Sequence, residues 1–248
     1  MDSIFNAEVA RLLGISLLPA VGMVIGALLA ERWSLPRSAL GAVLHGAAGV
    51  AVAVVSIEMM PRILRDIAPW QLVAGFALGA AASFGLVKLL HRVLRKLKLG
   101  SSGAWGVYLA VAVDLMGDGL MVGIGSAVSG GVGLMLALSQ VVANIPGGVV
   151  TIANLRDSKV RRPMRLAAAA SLILPTLIGA ALGYWLLRGQ PTALQNTALA
   201  FVAGMLLLAT IEDLVPEADE PAAKRRWTTL GFTVGFVFFA LISLYFGA

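Results

Sequence analysis

Apolar residues fall in long unbroken runs along this chain, separated by short polar breaks. Each run is about 20 residues long, enough to cross roughly 30 Å of hydrocarbon as a helix. The runs are continuous rather than alternating, which argues against membrane strands. They predict eight helical spans, at about 9–30, 38–60, 70–90, 104–126, 131–153, 164–187, 193–214 and 228–246. Turn and charge signals mark the breaks, as in Leu35-Pro36-Arg37, Ser129-Gly130-Gly131 and Arg188-Gly189-Gln190-Pro191. The expected fold class is an all-α membrane protein, a single polytopic domain over residues 1–248.

Composition strengthens that reading. Hydrophobic residues make up 59% of the chain, charged residues 13%, and the mean hydropathy is +0.90. Soluble domains carry about 25% charged residues. Cysteine is absent, which excludes disulfides, thiolate metal sites and thiol redox chemistry. The net charge of +6 does not point to nucleic acid, because the basic residues sit in short loops between spans.

Their distribution sets an orientation. One side of the chain holds Arg32, Arg37, Arg92, Arg95, Lys96, Lys98, Arg156, Lys159, Arg161, Arg162, Arg165, Lys224, Arg225 and Arg226. The other holds Arg11, Arg62, Arg65 and Arg188. The first set is expected to be cytoplasmic, placing both termini on the extracytoplasmic side of a cell membrane. The acidic N-terminus, Met1-Asp2-Ser3, does not resemble a signal peptide, so the first span is expected to remain.

A short internal repeat is visible. Ala48-Gly49-Val50…Ser56-Ile57-Glu58-Met59-Met60-Pro61 is echoed by Ala203-Gly204-Met205…Thr210-Ile211-Glu212-Asp213-Leu214-Val215-Pro216. The two copies lie on spans 2 and 7, which run in opposite directions. Gly117-Asp118-Gly119 on span 4 is likewise echoed by Pro146-Gly147-Gly148 on span 5. The expected plan is 3+2+3: spans 1–3 and 6–8 as an inverted repeat around spans 4 and 5, a habit of transporters.

The central pair carries the candidate chemistry. Asp114 and Asp118 lie four residues apart in an apolar run, so a helix turns both to one face. Within a bilayer each acid costs roughly 2.5–3.5 kcal/mol on insertion scales unless it has a partner. In span 5, Pro146 lacks an N–H and frees the carbonyl of Val142, while Asn144 adds an amide oxygen. Gln140 lies one turn from Asn144. Asp114, Asp118 and Asn144 are thus the expected ligands of an oxygen-rich site suited to a hard divalent cation. Glu58, Glu212, Asp213 and Glu217, near span ends, together with Gln140, Thr176 and His45, are candidates for a secondary site or a metal path.

These residues resemble the ZIP (Zrt/Irt-like) family of divalent metal transporters. In that family span 4 carries His-Asn-x-x-Glu-Gly-x-x-x-Gly, to which Asp114-Leu-Met-Gly-Asp118-Gly119-Leu-Met-Val-Gly123 is similar. Span 5 of the family has His-Asn-x-Pro-Glu-Gly, matched by Ala143-Asn144-Ile145-Pro146-Gly147-Gly148. Pro175-Thr176 stands where span 6 of the family has Pro-Glu, and Glu58-Met-Met-Pro61 looks like its His-Leu-x-Pro. The likeness runs from about Leu40 to Glu217.

The resemblance implies transport of a divalent metal cation, zinc or another transition metal or a harder cation, through an intramembrane site. The metal is then a substrate, and no resident cofactor is implied. Several family ligands are replaced, however: Leu115, Ala143, Gly147 and Thr176 stand in ligand places. These departures motivate an alternative, a non-transporting ZIP-like protein acting as metal sensor or partner subunit. An enzyme is not expected, since neither His-Glu-x-x-His nor Gly-x-Ser-x-Gly occurs. The expected partners are the lipid bilayer and a divalent metal ion; the small-residue face at Gly75, Gly79 and Gly85 is expected either to pack within the protomer or to make a homodimer.

Overall fold

The structure is a computed structural model that describes residues 2–33, 36–96, 104–219 and 225–246. Among these residues there are helices and no strands. In order they are α1 (Asp2–Ser16), α2 (Leu18–Arg32), α3 (Arg37–Ala53), α4 (Met60–Asp66), α5 (Pro69–Lys96) and α6 (Ala104–Val128). There follow α7 (Gly130–Asp157), α8 (Arg162–Ser171), α9 (Ile173–Leu187), α10 (Thr192–Ala209), α11 (Val215–Asp219) and α12 (Arg225–Phe246). Wider π turns join α3 to α4 (Val54–Met59) and α10 to α11 (Thr210–Leu214).

Six helical stretches are long and apolar enough to cross a membrane: Glu8–Arg32, Ser38–Arg65, Trp105–Val128, Gly130–Asp157, Arg162–Leu187 and Thr192–Glu212. This is the make-up of a membrane-embedded protein. The spans expected at 70–90 and 228–246 fall on α5 and α12, and the apolar stretch of α12, Thr229–Tyr245, is shorter.

The interruptions of these rods have a common local cause. A helical proline withholds a donor and crowds the carbonyl four residues back. Pro19 sits in the first turn of α2, and the rod breaks at Leu17. Pro175 sits near the start of α9, and the rod breaks at Leu172. Each π turn ends two residues before a proline, Pro61 or Pro216. The N–H of Met60 reaches the carbonyl of Val55, and that of Val215 the carbonyl of Thr210, both five residues back. Ser129 closes the turn between α6 and α7, its hydroxyl accepting from the Val132 N–H at 3.2 Å.

Small residues decide which helices meet. The pairs in closest contact are α6 with α9, α2 with α7, α3 with α12, α5 with α10, and α6 with α7. A Cβ on Gly22 or Gly26 would overlap the carbonyls of Val141 and Ile145, so α2 lies backbone to backbone on α7. Gly179 and Gly183 meet the carbonyls of Met116 and Leu120 in the same way, seating α9 on α6. Gly49 and Gly235 hold α3 against α12, and Gly79 and Gly204 hold α5 against α10. Close approach through small residues is how helices associate where water exclusion offers no drive. Gly75 and Gly79, expected to serve a protomer or a dimer contact, face Thr197 and Phe201 of α10; Gly85 faces open space.

Candidate functional site

The contact of α6 with α7 brings the two polar segments of the chain together. Asp118 is buried, with 5% of its surface exposed. Its Oδ2 accepts a hydrogen bond from Asn144 Nδ2 at 2.8 Å. The same Nδ2 lies 3.3 Å from the Pro19 carbonyl oxygen on α2, so Asn144 ties three helices together. With its amide hydrogens directed at these acceptors, Asn144 keeps its own carbonyl oxygen for another partner.

A cavity of about 430 Å³ opens beside this pair. Asp114, Gly117 and Asp118 line it from α6, and Gln140, Ala143, Asn144 and Gly147 from α7. Leu44 and Ala51 of α3 complete one wall, and Met205 and Ala209 of α10, with Thr210 of the π turn that follows, another. Asp114 is exposed whereas Asp118, one helical turn away, is buried. The two carboxylates thus sit at different depths along one cavity wall. Gln140 is only 3% exposed, and its Nε2 has no hydrogen-bond partner among the described residues. A polar path with buried oxygen acceptors is chemically suited to a cation.

The remaining candidates lie elsewhere. Thr176 is fully buried, and its hydroxyl donates within its own helix to the Leu172 carbonyl at 3.3 Å. Its carbonyl oxygen supports the close approach of Gly119, so it packs α9 on α6 and does not line the cavity. His45 is buried on α3, with Nδ1 2.9 Å from the Gly41 carbonyl and Nε2 3.4 Å from Asp219 on α11. Glu58 is buried in the first π turn beside Arg62 at 3.3 Å, and the Ser243 hydroxyl donates to it at 3.5 Å. Glu212 is exposed on the second π turn. The side chains of Asp213 and Glu217 lie outside the described residues. Val142, whose carbonyl was expected to join the site, packs its side chain on the main hydrophobic core and does not line the cavity.

Sequence reasoning missed Pro19, Ser83 and Thr210. Pro19 supplies a carbonyl to Asn144, and Ser83 and Thr210 line the cavity. The proline argument applied to Pro146 holds equally for Pro19, and Thr210 lies within the second copy of the repeat, where a polar residue inside an apolar run is a signal in itself. Ser83 offers no comparable cue.

Among the described residues no group of three or more His, Cys, Asp or Glu side chains is placed to hold a metal ion. Compared with known proteins, the sequence matches no family model and no curated relative.

Proposed function

We propose that this chain carries a divalent metal cation across the cell membrane through the cavity between its fourth and fifth spans. The observation that carries the proposal is the buried Asp118 carboxylate, held by Asn144 from the facing helix and bordering a cavity that Asp114 also lines. Ionisable groups inside membrane spans are costly, face the bundle interior or a water-filled cavity, and mark ion paths. The resemblance of the Asp114–Gly123 and Ala143–Gly148 segments to the ZIP family adds independent support from sequence.

Helix pairing favours eight spans in the 3+2+3 plan. Exchanging span 1 with 6, 2 with 7, 3 with 8 and 4 with 5 maps the α2–α7 contact onto α9–α6, and the α3–α12 contact onto α10–α5. Proline breaks and glycine contacts follow the same exchange: Pro19 with Pro175, Gly22 and Gly26 with Gly179 and Gly183, and one π turn with the other. Interrupted helices at matching places in two halves are a feature of alternating-access carriers, in which one unit rocks against another. The Lys and Arg bias supports an orientation with both termini outside the cytoplasm.

The test is uptake by purified protein in liposomes across a panel of divalent metals. Flux that Asp118→Asn and Asp114→Asn both leave undiminished would remove these ligands from the proposal.

A second reading, a non-transporting sensor or partner subunit, is favoured by the packing of Thr176 and by the lack of a three-ligand metal group among the described residues. It requires metal binding or partner association without uptake. Transport of any divalent metal ends it.

A further inference from the structure

Resting on the transport reading, we infer that the cation enters this cavity with most of its water shell in place: a hard, strongly hydrated divalent ion of the magnesium type. A bare transition metal needs a full set of protein ligands to replace the water it gives up, usually with imidazole or thiolate among them. This cavity offers neither. Its side-chain oxygens come from Asp114, Asp118, Gln140, Asn144, Thr210 and Ser83, and the rest of its wall is aliphatic or thioether. The thioethers of Met121 and Met205 belong to residues packed in the main hydrophobic core. Magnesium, by contrast, is held through one or two carboxylates and keeps several waters.

The cavity volume admits such an ion. A water takes about 30 Å³ of liquid volume, so six occupy roughly 180 Å³. The cavity, at about 430 Å³, has room for such a shell and for further waters around it.

Gln140 supplies the independent observation. Its Nε2 is buried at the cavity wall and has no acceptor among the described residues. An unsatisfied donor of this kind is costly. A bare cation repels a donor, and so do the outward-pointing hydrogens of the waters bound to it; a further water between that shell and the wall accepts from both. The side chain is therefore suited to an ion kept off the wall by water. Asp118 and the side-chain carbonyl of Asn144 would accept from the waters on the ion.

The test uses the full chain in liposomes, with magnesium, manganese and zinc as separate substrates. Hexaamminecobalt(III), whose ligands do not exchange, serves as a mimic of a fully hydrated ion. The expected result is saturable magnesium flux that hexaamminecobalt(III) inhibits competitively, and that Asp118→Asn lowers on the order of tenfold. Gln140→Leu removes the unsatisfied donor, so its thermal unfolding midpoint holds or rises while magnesium flux and hexaamminecobalt inhibition weaken. Zinc or manganese flux dependent on Asp118, with no magnesium flux and no inhibition by the inert complex, overturns the inference and leaves the transport reading standing. Absence of flux for every ion overturns both. Unchanged magnesium flux and inhibition in folded Gln140→Leu removes Gln140 from the recognition and overturns the argument built on it.

Discussion

Asn144 Nδ2 donates to Asp118 Oδ2 at 2.8 Å from across the α6–α7 contact. The amide thus satisfies a buried carboxylate, so the pair braces α6 against α7 at the wall of the cavity. Neither helix makes this contact alone.

Asn144→Ala leaves Asp118 buried without that donor. A buried acceptor stripped of its partner costs about 1–3 kcal/mol, more when charged. The expected outcome is a lower unfolding midpoint in detergent. Asn144→Asp crowds a further carboxylate against Asp118 and destabilises the empty protein more. Millimolar divalent cation should then raise the midpoint of Asn144→Asp by more than that of the parent, because a ligand bound only to the folded state stabilises it. Equal shifts in the two proteins would place the cation elsewhere.

Glycine contacts make a sharper stability test. A Cβ on Gly119 overlaps the Thr176 carbonyl, and one on Gly179 overlaps that of Met116. Either alanine substitution must push α6 and α9 apart, at a cost of about 1–3 kcal/mol. Gly14 has open space at the same position, so Gly14→Ala is expected to be neutral or to stabilise by up to roughly 1 kcal/mol through its helix preference. Thermal unfolding of the three variants side by side checks the ranking.

Arg165 grips Glu31 through Nε at 2.5 Å and a second nitrogen at 2.8 Å, and Glu31 is only 8% exposed. Arg162 lies 3.8 Å from the same carboxylate, so the charge keeps a partner, and losing the part-buried Arg165 bonds is worth about 1–3 kcal/mol. Arg165→Ala is therefore expected to lower the unfolding midpoint. Arg165→Lys should recover part of the loss, since it keeps the charge without the planar fork. If lysine and arginine prove equivalent, the two-point geometry contributes nothing.

Because the chain has no cysteine, single cysteines report wetting cleanly. Ala143→Cys places a thiol at the cavity, and Val234→Cys places one on a residue that is 67% exposed on α12. A charged thiol reagent needs the thiolate, which forms in water and not in hydrocarbon, so Ala143→Cys should label roughly tenfold faster in liposomes. Divalent cation should slow it. Faster labelling at Val234→Cys would mean that this face of α12 meets water.

What the sequence alone determined is local in origin. Run length and hydropathy identify apolar helices, because crossing hydrocarbon requires every backbone group to bond within its own helix. The spacing of Asp114 and Asp118 places them on one face, since helix geometry is the same wherever the helix sits. Pro146 withholds a backbone donor for the same reason, although α7 continues through it as a helix. Tertiary structure alone decided the rest: that Asp118 is buried while Asp114 is exposed, and that Asn144 and not Thr176 stands opposite. It also gave His45 to Asp219 and Glu58 to Arg62 and Ser243. These outcomes depend on which helices lie backbone to backbone, and that is settled by glycines meeting carbonyls on distant segments, such as Gly22 on Val141 and Gly179 on Met116. Steric fit between remote parts of a chain leaves no periodic trace along it.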